Sequence, residues 1–239
     1  MSSNKVALIT GANKGIGLET AKQLAALGFQ VLIGARKEAE GKAAAASIGA
    51  AAHFVLLDMS HPATFAPAAR WIGENFGKLD VLVNNAGVGG DMGKAPSVES
   101  VATIREVFET NVFGLLELTQ VLLPLLHKST AGRIVNVSSI LGSLAMNSDF
   151  AAPLGEWRSF GYNGSKAALN MLTATLAYEL RDSKIKVNSA HPGWVKTDLG
   201  GADAPLEVEE GAKTSVRLAT LGSDGPTSGY FHLNEILPW

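Results

Sequence analysis

A doubly wound α/β fold, a parallel sheet covered by helices on both faces, is what this 239-residue sequence predicts, and three observations predict it. Short apolar runs recur between longer segments of helical spacing. The runs are rich in Val, Ile and Leu without strict alternation, as strands buried on both faces require. No Pro/Gly/Ser linker or shift in composition interrupts the series, so residues 1–239 read as a single domain.

In chain order the strands are "VALIT" (6–10), "FQVLIGA" (29–35), "HFVLL" (53–57), "LDVLVNNAG" (79–87), "RIVNVSS" (133–139) and "IKVNSAHPG" (185–193). Helices are expected over 15–28, 37–47, 62–76, 101–127, 161–182 and 208–220, and supply the crossovers. "KAAAASIGAAA" has the composition of an exposed, well-formed helix and carries no motif. Around "NVFGLLELTQVLLPLLH" (111–127) apolar residues nearly encircle the helix. That is more than one face against a sheet buries, so a second cover is expected, either a subunit interface or cover from within the chain, particularly the loop at 141–160.

A hydrophobic content of 46% with 18% charged residues is ample for a packed core. The formal net charge of -2 gives no electrostatic footprint for nucleic acid or an anionic membrane surface, and neither is an expected partner. The absence of cysteine excludes disulfides, thiolate nucleophiles and cysteine zinc sites. The histidines show no metal-ligand spacing, so no metal is expected, and His191, with no partner at a recognisable spacing, reads as structural. No apolar run reaches spanning length and the start lacks a secretory pattern, which makes a cytoplasmic location the expectation.

"TGANKGIG" (10–17) places Gly11, Gly15 and Gly17 in a strand-to-helix turn. Glycine there permits a tight bend and close backbone approach, while the helix N-terminus offers unpaired N–H groups to a phosphate. A nucleotide-hydrolysing loop needs Lys then Ser/Thr after its last glycine, whereas Leu18 and Glu19 follow here. In dinucleotide folds an acidic residue at the end of the second strand binds the ribose of NAD, but this strand ends in Arg36. With Lys14 in the glycine loop, two cations converge where a 2′-phosphate would lie, so NADP(H) is the expected cofactor. Glu38 nearby argues the other way.

"YNGSK" sets Tyr162 and Lys166 four apart, on one face of a helix that Leu169, Leu172, Leu176 and Leu180 continue. A free phenol titrates near pH 10, and a neighbouring cation stabilises phenolate, so Tyr162 is expected to be unusually acidic and to serve as acid and base.

With TGxxxGxG, "NNAG" (84–87), "NVSS" (136–139), YxxxK (162–166) and "PG" (192–193) in this order, the sequence resembles the short-chain dehydrogenase/reductase family over essentially its whole length. "TGANKGIG", "GAR" and "HPGWVKTDLGG" look most like its NADPH-dependent carbonyl reductases. The resemblance implies a Rossmann-like sheet and transfer of hydride to a ketone or aldehyde. It implies a catalytic set in which Tyr162 exchanges the proton, Ser139 hydrogen-bonds the carbonyl, Lys166 holds the nicotinamide ribose and Asn111 assists a proton relay. The cofactor set it implies comprises Gly11, Asn13, Lys14, Gly15, Ile16, Gly17, Arg36, Asp58, Met59, Asn85, Ala86, Gly87, Tyr162, Lys166, Pro192, Gly193, Val195 and Thr197. Asp58 and Asn85 have the alternative reading of cap and turn residues.

"ILGSLAMNSDFAAPLGEWRSFG" lengthens the usual serine-to-tyrosine spacing, so residues 141–160 are expected to be an insertion. In related carbonyl reductases such insertions cover the helical surface used for assembly, which implies a monomer or homodimer rather than a homotetramer. The insertion is expected to bring Phe150, Leu154, Trp157 and Phe160 to the site, with Trp194 opposite, as an apolar pocket for a bulky small-molecule carbonyl substrate. Residues 194–210 resemble a mobile substrate loop with Gly200 and Gly201 as hinges. The competing reading is a protein that binds NADPH and senses it without turnover.

Overall fold

The computed structural model describes residues 5–239. Its elements in order are β1 (Val6–Thr10), α1 (Gly15–Ala26), β2 (Gln30–Ala35), α2 (Glu38–Ile48), β3 (Ala52–Leu56), α3 (Phe65–Phe76), β4 (Val81–Asn84), α4 (Val101–Phe108), α5 (Gly114–Leu126), β5 (Arg133–Val137), α6 (Leu144–Ser148), α7 (Phe160–Glu179), β6 (Lys186–Ala190), α8 (Val208–Ala219), β7 (Gly229–His232) and β8 (Glu235–Ile236). The sheet order is β3-β2-β1-β4-β5-β6-β7-β8, parallel throughout except for the antiparallel β7–β8 pair. The chain runs outward from β1 to β3 and then returns to the other side of β1. That reversal leaves a crevice at the carboxyl ends of β1 and β4, where doubly wound folds take their ligands.

Alternate residues of the central strands feed two cores. Val6 and Leu8 of β1 join Phe65 and Ile72 of α3, Leu118 and Leu122 of α5, and Leu176 of α7 on one face. Ala7 and Ile9 join Ala21 and Leu24 of α1, Ala44 of α2 and Leu218 of α8 on the other. Continuous apolar runs are the sequence form of this two-sided burial.

The structure departs from the expected elements in four places. The helix expected over 101–127 is broken by a wide turn at Glu109–Phe113, where the hydrogen bonds skip to i→i+5 and Asn111 is turned inward. The second cover of α5 comes from within the chain, as one of the two alternatives has it, but from α3 and not from the 141–160 loop: Leu118, Leu122, Leu125 and Leu126 share a core with Phe65 and Ile72. The helix expected over 62–76 opens with a 3-10 turn at Pro62–Thr64. The strands β7 and β8 were not anticipated; "GYFH" is four residues long and follows a run of turn-forming residues, too short for a periodicity to register.

Gly114, where α5 resumes after the wide turn, passes directly against the loop that follows β3. A Cβ there would stand 2.0 Å from the Met59 carbonyl oxygen. Gly114→Ala therefore has to push backbone against backbone, and is expected to lower stability by about 2 kcal/mol, read as a lower urea midpoint at unchanged slope.

Candidate active site

The glycine turn leaves β1 with Gly11 at φ 62° and enters α1 with Gly15 at φ 57°, both in the left-handed region that favours glycine. A Cβ on Gly17 would lie 2.5 Å from the Asn85 amide nitrogen and 2.6 Å from the Gly11 oxygen. No side chain caps the first turn of α1, so its leading N–H groups are left for an outside acceptor. Thr10, which sequence reasoning passed over, ties this turn to β4: its hydroxyl accepts from Asn85 N at 3.0 Å and Ala86 N at 2.9 Å.

A cavity of about 220 Å³ opens beside this turn. Of the expected cofactor residues it gathers Gly11, Asn13, Lys14, Arg36, Asp58, Met59, Asn85, Ala86 and Gly87. The side chains of several are already committed. Asn85 Nδ2 donates to the oxygens of Thr10 (2.8 Å) and Gly11 (3.2 Å), and Asp58 accepts from Ser60 and His61, so the turn and cap readings describe both side chains. Asn13 Nδ2 donates to Glu40 at 2.8 Å. Lys14 is paired with Asp198, which raises its pKa, and Arg36 is exposed. Glu38 is paired with Lys42 at 2.6 Å.

A second cavity of about 300 Å³ lies at the ends of β5 and β6. Ser139, Tyr162, Ile16, Pro192, Gly193, Val195 and Thr197 line it. A methyl of Thr197 would be 3.5 Å from a Cβ on Gly15, which puts the 194–201 segment at the junction of the two cavities. No Asp, Glu, Lys or Arg side chain lines the second cavity.

Of the expected pocket residues, Leu154, Trp157 and Trp194 do line it, joined by Met92, Ile140, Leu141, Pro153 and Leu199. Phe150 and Phe160 do not. Phe150 is 91% exposed, and Phe160 stacks on Phe108 with centroids 6.3 Å apart on the outer surface. Gly201, at φ 79° with open space around it, fits a hinge, but Gly200 is a close-approach glycine whose Cβ would lie 2.0 Å from the Val195 oxygen.

Lys166 is buried one turn beyond Tyr162 on α7. Its Nζ donates to the Val137 carbonyl at 2.8 Å and sits 5.7 Å from the centre of the Tyr162 ring. A Cβ on Gly87 would come within 3.6 Å of that nitrogen and 3.3 Å of Asn111 Oδ1, so the bare glycine keeps the ammonium reachable from the first cavity. Asn111 lines neither cavity. Its Oδ1 accepts from Val88 N (2.9 Å), and its Nδ2 donates to Val88 O and Ser165 Oγ (both 3.0 Å), which stitches the wide turn to α7.

The phenol is not acidified in this arrangement. Burial pushes Tyr162 up to about 12, against the opposing pull of its contact with the Ser139 side chain. Burial pushes Lys166 down to about 8. The cation lies over the ring and is hydrogen-bonded away from the hydroxyl, so desolvation outweighs the expected stabilisation of phenolate. His191 is pushed down to about 3 by burial and by His232, and its Nδ1 accepts from Ile140 N at 3.3 Å, as the structural reading of this residue requires.

The sheet order, the glycine turn at the reversal point and the Ser–Tyr–Lys grouping at the neighbouring strand ends define a doubly wound oxidoreductase of the dinucleotide-binding class. The chain belongs to the short-chain dehydrogenase/reductase family, whose short chain dehydrogenase model matches residues 5–205. It is 37% identical to the short-chain dehydrogenase anuI of Penicillium roqueforti, over 90% of this chain and 88% of that protein. It is 30% identical to carbonyl reductase [NADPH] 1 of Mus musculus, over 100% of this chain and 99% of the relative. The structure of NADPH-bound carbonyl reductase from chicken fatty liver superposes with a TM-score of 0.87 at 30% identity, covering 99% of this chain and 94% of that one. Among the described residues no helix is long and apolar enough to cross a membrane.

The buried lysine makes a prediction about stability. Lowering its pKa from 10.5 to about 8 corresponds to about 3 kcal/mol of strain on the charged form, of which the lost Val137 hydrogen bond would offset about 1. Lys166→Met is therefore expected to be more stable than the parent by about 2 kcal/mol at pH 7. Between pH 8 and 10.5 the unfolded parent binds more protons than the folded one, so parental stability rises and the variant's advantage disappears. Urea titrations of both proteins at pH 7 and pH 10 check both statements.

Proposed function

We propose that this protein is an NADPH-dependent carbonyl reductase that converts an uncharged, largely apolar ketone or aldehyde into its alcohol. The observation that carries the reading is that Ser139 and Tyr162 line one apolar cavity while Lys166 stands between that cavity and Gly87 of the other. The relatives support it: mouse carbonyl reductase 1 and the chicken carbonyl reductase are named for NADPH.

The glycine cradle of Gly11, Gly15 and Gly17 fits a pyrophosphate, because a side chain at Gly17 would fill the space beside Asn85 and the first turn of α1 keeps its N–H groups free. Lys14 and Arg36 would hold a 2′-phosphate, Asp58 and Met59 would flank the adenine, and Asn85, Ala86 and Gly87 would follow the chain toward Lys166. Ile16, Pro192, Gly193, Val195 and Thr197 would hold the carboxamide end. The bound nicotinamide supplies the hydride; the protein supplies position and charge.

Ser139 would hold the substrate oxygen and Tyr162 would give it a proton. With its pKa at about 12, Tyr162 is fully protonated at neutral pH, the form a donor needs. Lys166, charged below about 8, stabilises the phenolate left behind. Asn111 takes the part of a positioning group that keeps Ser165 and α7 in register with the wide turn. An uncharged lining disfavours keto acids and phosphorylated substrates, whose charge would be buried without a partner. The segments 141–160 and 194–210 would supply its walls through Leu141, Leu154, Trp157, Trp194 and Leu199, and a monomer or homodimer is the proposed assembly.

NADPH consumption measured against a panel of ketones, aldehydes and quinones tests the reading. Tyr162→Phe should lose about 10²- to 10⁴-fold in kcat while NADPH fluorescence titration gives an unchanged affinity. In the parent, kcat/KM for reduction should be flat below about pH 8 and decline above it as Lys166 loses its proton. Cofactor bound but never oxidised by any substrate would identify a sensor and defeat the proposal. Lys14→Ala/Arg36→Ala should raise the KM for NADPH at least tenfold and leave that for NADH nearly unchanged.

A further inference from the structure

We infer that Glu99 is a positioning residue for the reaction, acting by holding the start of the helix that carries Tyr162 and Lys166; the inference rests on the functional reading above. The first turn of α7 has no local cap. Ser159 occupies the N-cap position, but its side chain makes no capping bond and its buried hydroxyl has no partner. The free N–H groups of Phe160 and Gly161 are taken instead by a carboxylate from a loop 61 and 62 residues earlier in the chain. Glu99 Oε2 accepts from Phe160 N at 2.8 Å and from Gly161 N at 3.0 Å, and Oε1 accepts from Gly161 N at 2.8 Å.

This carboxylate is buried, 8% exposed, and fits closely: a Cβ on Gly161 would stand 2.3 Å from Oε1. Gly161 thus has no side chain because Glu99 occupies the space. Negative charge at a helix N-terminus is also the favourable sign. The next residue, Ser100, caps α4 by accepting from Thr103 N at 3.4 Å, so one two-residue junction terminates two helices that pack together.

Tyr162 follows Gly161 directly. Farther along α7, Asn163 Nδ2 donates to Trp157 O at 2.9 Å and Lys166 to Val137 O, so the helix is fixed to the pocket wall and to β5. The first of these bonds ties α7 back to its own leading segment and the second acts beyond Tyr162, so neither joins the start of the helix to a separate element. Glu99 does, from the N-terminal side, and the phenol is held between two sets of anchors. Catalytic groups lose rate with displacements of about 1 Å, so freeing one end of this arrangement should reach the chemistry before it reaches cofactor binding.

The test uses the full chain and the variants Glu99→Ala and Glu99→Ala/Ser159→Asp, the second of which supplies a local cap of the ordinary kind. For Glu99→Ala, kcat should fall at least tenfold with the KM for NADPH within twofold of the parent. Amide exchange of residues 160–163 in the cofactor-free protein should accelerate at least tenfold, with α1 and α5 unchanged. The double variant should recover at least half of the parental kcat and the parental exchange rates. Parental kcat and exchange in Glu99→Ala, or exchange accelerated throughout the sheet and not restored in the double variant, would overturn the inference. If Glu99→Ala does not fold, a double variant that folds with near-parental kcat supports it, and one as slow as Tyr162→Phe overturns it. A parent that oxidises no NADPH sinks the functional reading alone, and the exchange rates then still decide whether Glu99 holds the start of α7.

Discussion

The site is organised around one unfavourable burial, that of the Lys166 ammonium. A cation taken out of water with a single carbonyl partner is strained, and the downward shift of its pKa to about 8 measures that strain. The surroundings hold it there by leaving it no other position. Gly142 presses on the helix from below, so closely that a Cβ would lie 2.6 Å from the lysine Cβ, and β5 presents the Val137 oxygen at its end. Gly87, having no side chain, leaves space beside the ammonium. Two glycines and a strand end therefore decide where the charge sits and from which direction a ligand can meet it.

The same positions explain why the phenol is neutral in the cofactor-free protein. Tyr162 and Lys166 are neighbours by helical spacing, but adjacency of residues is not adjacency of charge: the ammonium lies over the ring, directed at a carbonyl. Desolvation then acts on both groups and drives their pKa values toward neutral phenol and neutral amine. A neutral phenol is the form that can give up a proton, and a cation over its ring favours the phenolate that would remain.

The architecture and most of the cavity residues were legible in the sequence because they follow from backbone requirements. Buried strands demand unbroken apolar runs, and a chain that bends sharply and packs against Asn85 demands Gly11 and Gly17. Side-chain engagement was not legible. Nothing in "NNAG" says that Asn85 spends its amide on the glycine turn, and nothing in "ETNVFG" says that Asn111 sits in a wide turn with both ends of its amide bonded. Aromatic residues of the 141–160 segment looked equivalent on paper, yet Trp157, in a 3-10 turn at Gly155–Trp157, faces the cavity and Phe150, in the irregular stretch after α6, faces solvent. Glu99 escaped notice for a related reason: its partners are backbone amides about 60 residues away, and a cap of that range leaves no local pattern.

The two cavities differ in chemistry, and the segment between them accounts for the difference. Residues 194–201 fold on themselves, with Trp194 Nε1 donating to Gly200 O at 2.7 Å and Gly200 N to Thr197 Oγ1 at 3.0 Å, and Thr197 is brought against Gly15. On one side lie Lys14, Arg36 and the uncapped amides of α1, a surface suited to anions. On the other, Trp157, Trp194, Leu154 and Leu199 surround only the hydroxyls of Ser138, Ser139, Tyr162 and Thr197 and a neutral imidazole. A ligand with a charged end and an uncharged ring would reach both surfaces across the junction that Thr197 makes with Gly15. A molecule carrying just the uncharged half can occupy the second cavity alone. The fold thereby sets a cationic surface and an uncharged one side by side, with Thr197 at their junction.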